Sequence, residues 1–257
     1  MAEAGGDVES DVGVDAQADA DAAPALGTYV QEVTADSPAS WWRLGESSTS
    51  SPAADEMKVQ AGTYRNSGVT LGVAGAIGKD SNTAAAFDGT NGAMYLPGTL
   101  FDFGGSPPFA VEVWVSPGPP PAADASDPLR RVVSHRTTAP YFGWYMAIDA
   151  NQRIVFTRWD SNATVASVTS TPLAQGQWSH VVVSADGTTL TLYVDGASVA
   201  SGAEATITDT PASHVSFGTT SDFSGEWFDG AMDEPAIYTH ALAPERVLAH
   251  YQAGIAK

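Results

Sequence analysis

Gly176-Gln177-Trp178-Ser179-His180-Val181-Val182-Val183-Ser184-Ala185-Asp186-Gly187-Thr188-Thr189-Leu190-Thr191-Leu192-Tyr193-Val194-Asp195-Gly196 is the stretch that decides the fold. Trp178 to Ser184 is valine-rich and reads as a strand. Ala185 to Thr188 is a turn, and Thr189 to Val194 alternates apolar and polar residues at period two. Asp195-Gly196 is a tight-turn dipeptide, after which Ala197 to Ser201 returns as a further strand. Upstream, Val111-Glu112-Val113-Trp114-Val115 alternates in the same way, as a half-buried strand does. Short apolar stretches separated by turn residues run from Thr28 to Ala241. Strands without intervening helices pair antiparallel, which gives a sandwich or a barrel.

The one helix that the sequence marks clearly is terminal. Ala243-Pro244-Glu245-Arg246-Val247-Leu248-Ala249-His250-Tyr251 has proline and glutamate in its first turn, with Gly254 as a stop. Val247, Leu248 and Tyr251 form its apolar stripe. Residues 1–27 hold seven acids, no base and almost no large side chain. Such a segment cannot bury enough surface to offset its ordering entropy, so a disordered acidic leader is expected. Asp15 to Asp21 does not make a calcium loop, because Ala20 and Leu26 stand where the EF-hand needs glycine and glutamate. Pro117 to Ala125 is a proline-rich exposed loop. Strands of one style flank it, so residues 28–257 are read as one domain.

The chain of 257 residues has a hydrophobic fraction of 43%, ample for a core. It holds no apolar run of about 18 residues, so direct membrane insertion is not expected. Its net charge of −19 repels phosphate backbones and argues against nucleic acid. With no cysteine there are no disulfides, thiolate zinc sites or thiol nucleophiles. The five histidines are scattered without metal-ligand spacing.

Several segments, in order, resemble the laminin-G-like family of the concanavalin A-like superfamily. Ala35-Asp36-Ser37-Pro38-Ala39-Ser40-Trp41-Trp42-Arg43-Leu44-Gly45-Glu46 is similar to its first strand, and Phe109 to Val115 to its F-T-x-E-x-W-V strand. Trp178-Ser179-His180-Val181 with Leu192-Tyr193-Val194-Asp195-Gly196 resembles its hairpin. Phe228-Asp229-Gly230-Ala231-Met232-Asp233-Glu234-Pro235-Ala236-Ile237-Tyr238 resembles its closing strand. The resemblance implies an all-β, two-sheet antiparallel jelly-roll sandwich with a short C-terminal helix. It also implies an extracellular or cell-surface setting, reached through an export signal or lipid anchor since removed. In that family His180 is a structural or polar core residue, and a structural calcium often joins the loop after the first strand to the closing strand. By position Asp55 and Asp233 match its two carboxylates, although Glu56-Met57-Lys58-Val59-Gln60 replaces the usual Ser-Gly-Asn-rich loop.

Catalytic residues are not expected. Glycosidases on this fold need two carboxylates flanking the scissile bond, and the glucanase triplet Glu-x-Asp-x-x-Glu is absent. The nearest substitute, Glu226, Asp229, Asp233 and Glu234, has the wrong spacing for it. No Gly-x-Ser-x-Gly elbow occurs. Aromatics able to stack on sugar faces are the binding candidates: Tyr141, Trp144, Trp159 and Trp227, with Arg158 and Asp160 as polar neighbours of Trp159. The expectation is a non-catalytic module that binds a glycan or surface protein. The alternatives are an adhesive part of a bacterial surface or phage-tail-like assembly and, behind it, an atypical glycoside hydrolase.

Overall fold

The computed structural model describes residues 1–2, 27–65, 67–96, 100–120, 128–208 and 214–256. The acidic leader lies almost wholly outside the described residues, as does most of the proline-rich loop. The chain opens with helix α1 (Tyr29–Ala35). Then come strands β1 (Ser40–Trp41), β2 (Thr63–Arg65), β3 (Val69–Ala74), β4 (Thr83–Asp88), β5 (Ala93–Leu96) and β6 (Phe109–Pro117). They are followed by β7 (Arg130–Arg136), β8 (Gly143–Ile148), β9 (Arg153–Asp160), β10 (Ala163–Pro172), β11 (Ser179–Ala185) and β12 (Thr189–Val194). The last elements are β13 (Ala197–Ala203), β14 (Val215–Phe217), β15 (Asp229–Tyr238) and helix α2 (Pro244–Ile255).

The strands form two antiparallel sheets, as expected. One runs β13-β12-β11-β6-β15-β4-β3, with β1 also on β15, and the other runs β10-β9-β8-β7-β14-β5-β2. Alternation along β6 explains how the layers stack. Phe109, Val111, Val113 and Val115 face the second sheet, in a core shared with Met94, Trp144, Met146, Phe156 and Phe217 of that sheet and with Trp42 and Phe87. Ala110 and Trp114 face the other way, into a second apolar layer with Tyr29, Val33, Trp41, Tyr238, Leu242 and Val247. The strand is therefore buried on both faces rather than half-buried, because α1 and α2 cover the outer face of the eight-stranded sheet.

Helix α1 was not legible as a helix. Only Tyr29 and Val33, one turn apart, are buried along its seven residues, too short a stripe for a periodic signal. Its start is fixed by a capping box, in which the Gln31 backbone N–H donates to the Thr28 hydroxyl and Thr28 N–H to the Gln31 side chain. Gly254 is not a stop, since α2 runs through it to Ile255. A Cβ there would collide with the Trp114 indole, so the glycine lets α2 lie directly on that ring.

Candidate functional site

The helices roof one sheet, and among the described residues no helix covers the outer face of the seven-stranded sheet. One row of paired residues crosses all seven strands: Thr63, Tyr95, Ser216, Ser134, Tyr145, Thr157 and Ser167. Each carries a hydroxyl. The neighbouring residues Val133, Met146, Phe156 and Val168 belong to the core between the sheets, so the period of two turns this row outward. Ser134 and Ser216 lie beneath the segment joining β14 to β15. There the Ser221 hydroxyl donates to the Ser134 carbonyl at 3.0 Å and accepts from the Arg136 N–H at 3.0 Å. The Arg131 N–H donates to the Glu226 carbonyl at 2.8 Å. The hydroxyl row is thus a floor, with an arginine and aromatic layer above it.

That layer is centred on Arg136. Arg136, Gly143 and Trp159 share a row across β7, β8 and β9. Strands lie about 4.8 Å apart, so Arg136 and Trp159 start about 10 Å apart at the backbone. The glycine between them has no side chain, and the guanidinium crosses that gap to lie 5.3 Å from the Trp159 ring centre. It also lies 4.4 Å from the Tyr141 ring and 5.5 Å from Tyr145. Tyr141 meets Trp159 edge-on at 5.5 Å, and its backbone N–H is held by the Asn162 side chain at 2.9 Å. Arg131 stacks on Tyr145 and is ion-paired with Glu226, whose other oxygen is 3.9 Å from Arg136. Burial lowers the proton affinity of Arg136, the neighbouring Arg131 charge lowers it further, and Glu226 offsets this only in part.

Two of the four aromatic candidates therefore meet, Tyr141 and Trp159, and both remain partly exposed. Trp144 does not belong with them. It is fully buried in the core, with its indole N–H donating to the Phe101 carbonyl at 2.8 Å. In the adjacent pair Trp144-Tyr145 only one ring can face out, and it is Tyr145. Trp227 is partly exposed on the segment that carries Glu226. Arg131 and Arg136 escaped the sequence reading. The signal available was their placement on a strand whose partner offers a glycine.

The four acids Glu226, Asp229, Asp233 and Glu234 do not converge on one site: the last three lie on β15 and Glu226 in the segment before it. Glu226 serves the two arginines, whereas Asp233 and Glu234 lie in the eight-stranded sheet. Asp55 does not suit a calcium ion. One of its oxygens accepts from the Trp41 and Met57 N–H groups, and the other from the Ser40 hydroxyl and the Val59 and Gln60 N–H groups. A carboxylate so surrounded by donors has no lone pair left for a hard cation. Asp233 accepts from the Ala76 N–H, and its second oxygen has no hydrogen-bond partner among the described residues. Burial and the adjacent Glu234 push Asp233 up to about 8. Among the described residues no group of three or more histidines, aspartates or glutamates could hold a metal.

Glu112 and two scattered histidines come together beneath the helices. Glu112 accepts from Tyr29, Tyr238, His180 and His250, and His250 also contacts Asp36 at 2.8 Å. This buried net joins α1, β6, β11, β15 and α2, so His180 is structural, as the sequence indicated.

The family model described as the concanavalin A-like lectin/glucanases superfamily, of the laminin-G-like type, matches residues 88–248, more than half of the chain. The chain belongs to this superfamily. Among solved structures, domain 4 of AbnA, a GH43 extracellular arabinanase from Geobacillus stearothermophilus, in complex with arabinotriose, is similar with a TM-score of 0.57 and 18% identity. The match covers 84% of this chain and 98% of that domain. The binding domain of Paraclostridial Mosquitocidal Protein 1 is similar with a TM-score of 0.62 and 14% identity, over 82% of this chain and 51% of that one. The binding domain of Botulinum Neurotoxin DC in complex with SialylT gives 0.62 and 11%, over 85% and 52%. The chain thus spans about half the length of the toxin domains. At these identities the likeness is one of fold. Comparison with curated proteins gave no match.

Proposed function

We propose that this domain is a non-catalytic, extracellular glycan-binding module whose site is the outer face of the seven-stranded sheet. The observation that carries the reading is the Tyr141–Trp159 ring pair gathered around Arg136 on the sheet face that the helices leave uncovered. The C–H-bearing face of a sugar is apolar and packs on aromatic rings, while its hydroxyls need polar partners beside them. Both kinds of group are here. The neighbours whose descriptions include bound arabinotriose and SialylT are consistent with a recognition role for this fold. Glu226 is the one acid of the four that reaches the ring cluster, ion-paired with Arg131, and this favours recognition over cleavage there, because hydrolysis needs two carboxylates across one bond.

The test is a titration against a broad panel of neutral and acidic glycans, comparing the parent with Trp159→Ala and Tyr141→Ala. Binding by the parent that falls at least tenfold in both variants, with melting temperature retained, is the expected result. Binding that neither substitution weakens would place the site elsewhere. No binding to any glycan in the panel would overturn the reading.

A further inference from the structure

Among the described residues, the ring cluster holds two cations about one carboxylate. Two guanidinium groups, Arg131 and Arg136, share one carboxylate, Glu226. The sharing is unequal. Arg131 is almost fully buried and takes Glu226 at close range, while the Arg136 nitrogen stays 3.9 Å away, beyond hydrogen-bond reach. A guanidinium offers five N–H donors in a planar fork. None of those on Arg136 has a hydrogen-bond acceptor among the described residues, although its side chain is only 15% exposed. The Trp159 indole N–H beside it also lacks an acceptor there. Half-buried donors with no protein acceptor are costly to leave unmet, and a planar fork fits a carboxylate through two parallel hydrogen bonds.

We infer that Arg136 binds the carboxylate of an acidic sugar, so that the ligand class is a glycan carrying uronate or sialate residues. The inference rests on the glycan reading above and narrows it. The rings of Tyr141 and Trp159 hold the guanidinium in place, which keeps the fork oriented and reduces the entropy lost when a ligand arrives. A lysine would not serve equally, being a point charge without the fork. The net charge of −19 opposes the approach of an acidic glycan. At physiological ionic strength, however, exposed charges beyond about 8 Å are screened. The contact is therefore decided by the few groups within the cluster, where the described residues place the Arg131 and Arg136 guanidinium groups about the one Glu226 carboxylate.

The test uses the full chain and pairs of ligands that differ in the carboxylate. Oligogalacturonate is compared with its methyl ester of equal length, and sialyllactose with lactose. In at least one pair the acid should bind ten or more times more tightly than its neutral counterpart, and the advantage should shrink as salt is raised. The better pair identifies the sugar. In Arg136→Gln the acid-to-neutral ratio should collapse to near one, and Arg136→Lys should retain only part of it, both variants keeping the parent melting temperature. Equal binding of acid and neutral partners in both pairs overturns the carboxylate inference and leaves the glycan reading standing. No binding of any of the four, nor of the wider neutral panel, overturns the glycan reading itself. An acid preference that survives unchanged in Arg136→Gln also overturns the inference.

Discussion

Replacing Glu112 by glutamine should loosen both helices at once. The carboxylate is fully buried and accepts from Tyr29 at 3.2 Å, Tyr238 at 2.7 Å, His180 at 2.7 Å and His250 at 3.1 Å. Burial alone would lower the His250 proton affinity, but Glu112 and Asp36 outweigh it and lift the imidazole to about 10. Burial would likewise raise Glu112, yet His250 and His180 hold it well below the usual carboxylate range. Glutamine keeps the volume but removes the negative charge and turns an amide donor toward other donors. Removing one partner of a buried charged pair costs about 3–5 kcal/mol. In a domain of this size each kcal/mol corresponds to about 2–4 °C, so Tm should fall by about 6–20 °C. The pH dependence has a definite sign. His250 is raised in the folded state, so its contribution is full below about pH 6.5 and is lost as pH rises through about 10. Glu112 is depressed, so its contribution is full above about pH 4.3 and is lost as pH falls. The gap between parent and variant should be widest between about pH 4.5 and 6.5 and narrow toward pH 10. Urea unfolding followed by tryptophan fluorescence at pH 6 measures it. A variant within about 1 kcal/mol of the parent there would refute the reasoning, since a net of this kind cannot be lost so cheaply.

Trp144→Ala should cost about 3–5 kcal/mol in the same assay, as a buried ring in the core does. Gly254→Ala should destabilise by about 1–3 kcal/mol because its methyl group meets the Trp114 indole, and the far-ultraviolet helix signal should melt earlier than in the parent. Calcium added or chelated should leave Tm within about 1 °C, whereas a site filled to a hundred times its Kd would add about 2.7 kcal/mol. Asp233 is raised to about 8, so the folded state favours its protonated form and stability falls as pH rises from about 4 through 8. Asp233→Asn should therefore match the parent below about pH 4 and exceed it increasingly from there to pH 9 in thermal melts.

The two sheets were legible because β6 and β12 alternate cleanly, β11 is valine-rich, and the turn residues between β11 and β13 admit one reading. The cover over β6 was not. Glu112 and Trp114 look like the solvent side of a strand until helices more than one hundred residues apart in the chain, at Tyr29 and Pro244, fold over them. The site was half legible. Tyr141 and Trp159 declare themselves as aromatics near loops, but which of Trp144 and Tyr145 turns outward depends on pleat register, and a one-residue shift reverses it. Asp55 shows the opposite difficulty. A carboxylate that closes a turn through five donors and one that binds a cation are the same letter, and only the direction of the surrounding N–H groups separates them.

Helices α1 and α2 pack against each other on the back of the eight-stranded sheet, one near each end of the described chain. The polypeptide therefore enters and leaves the sandwich on the side opposite Trp159 and Arg136. The two ends of the described sandwich thus stand behind it, and its aromatic face is presented forward like the palm of a hand held at the wrist.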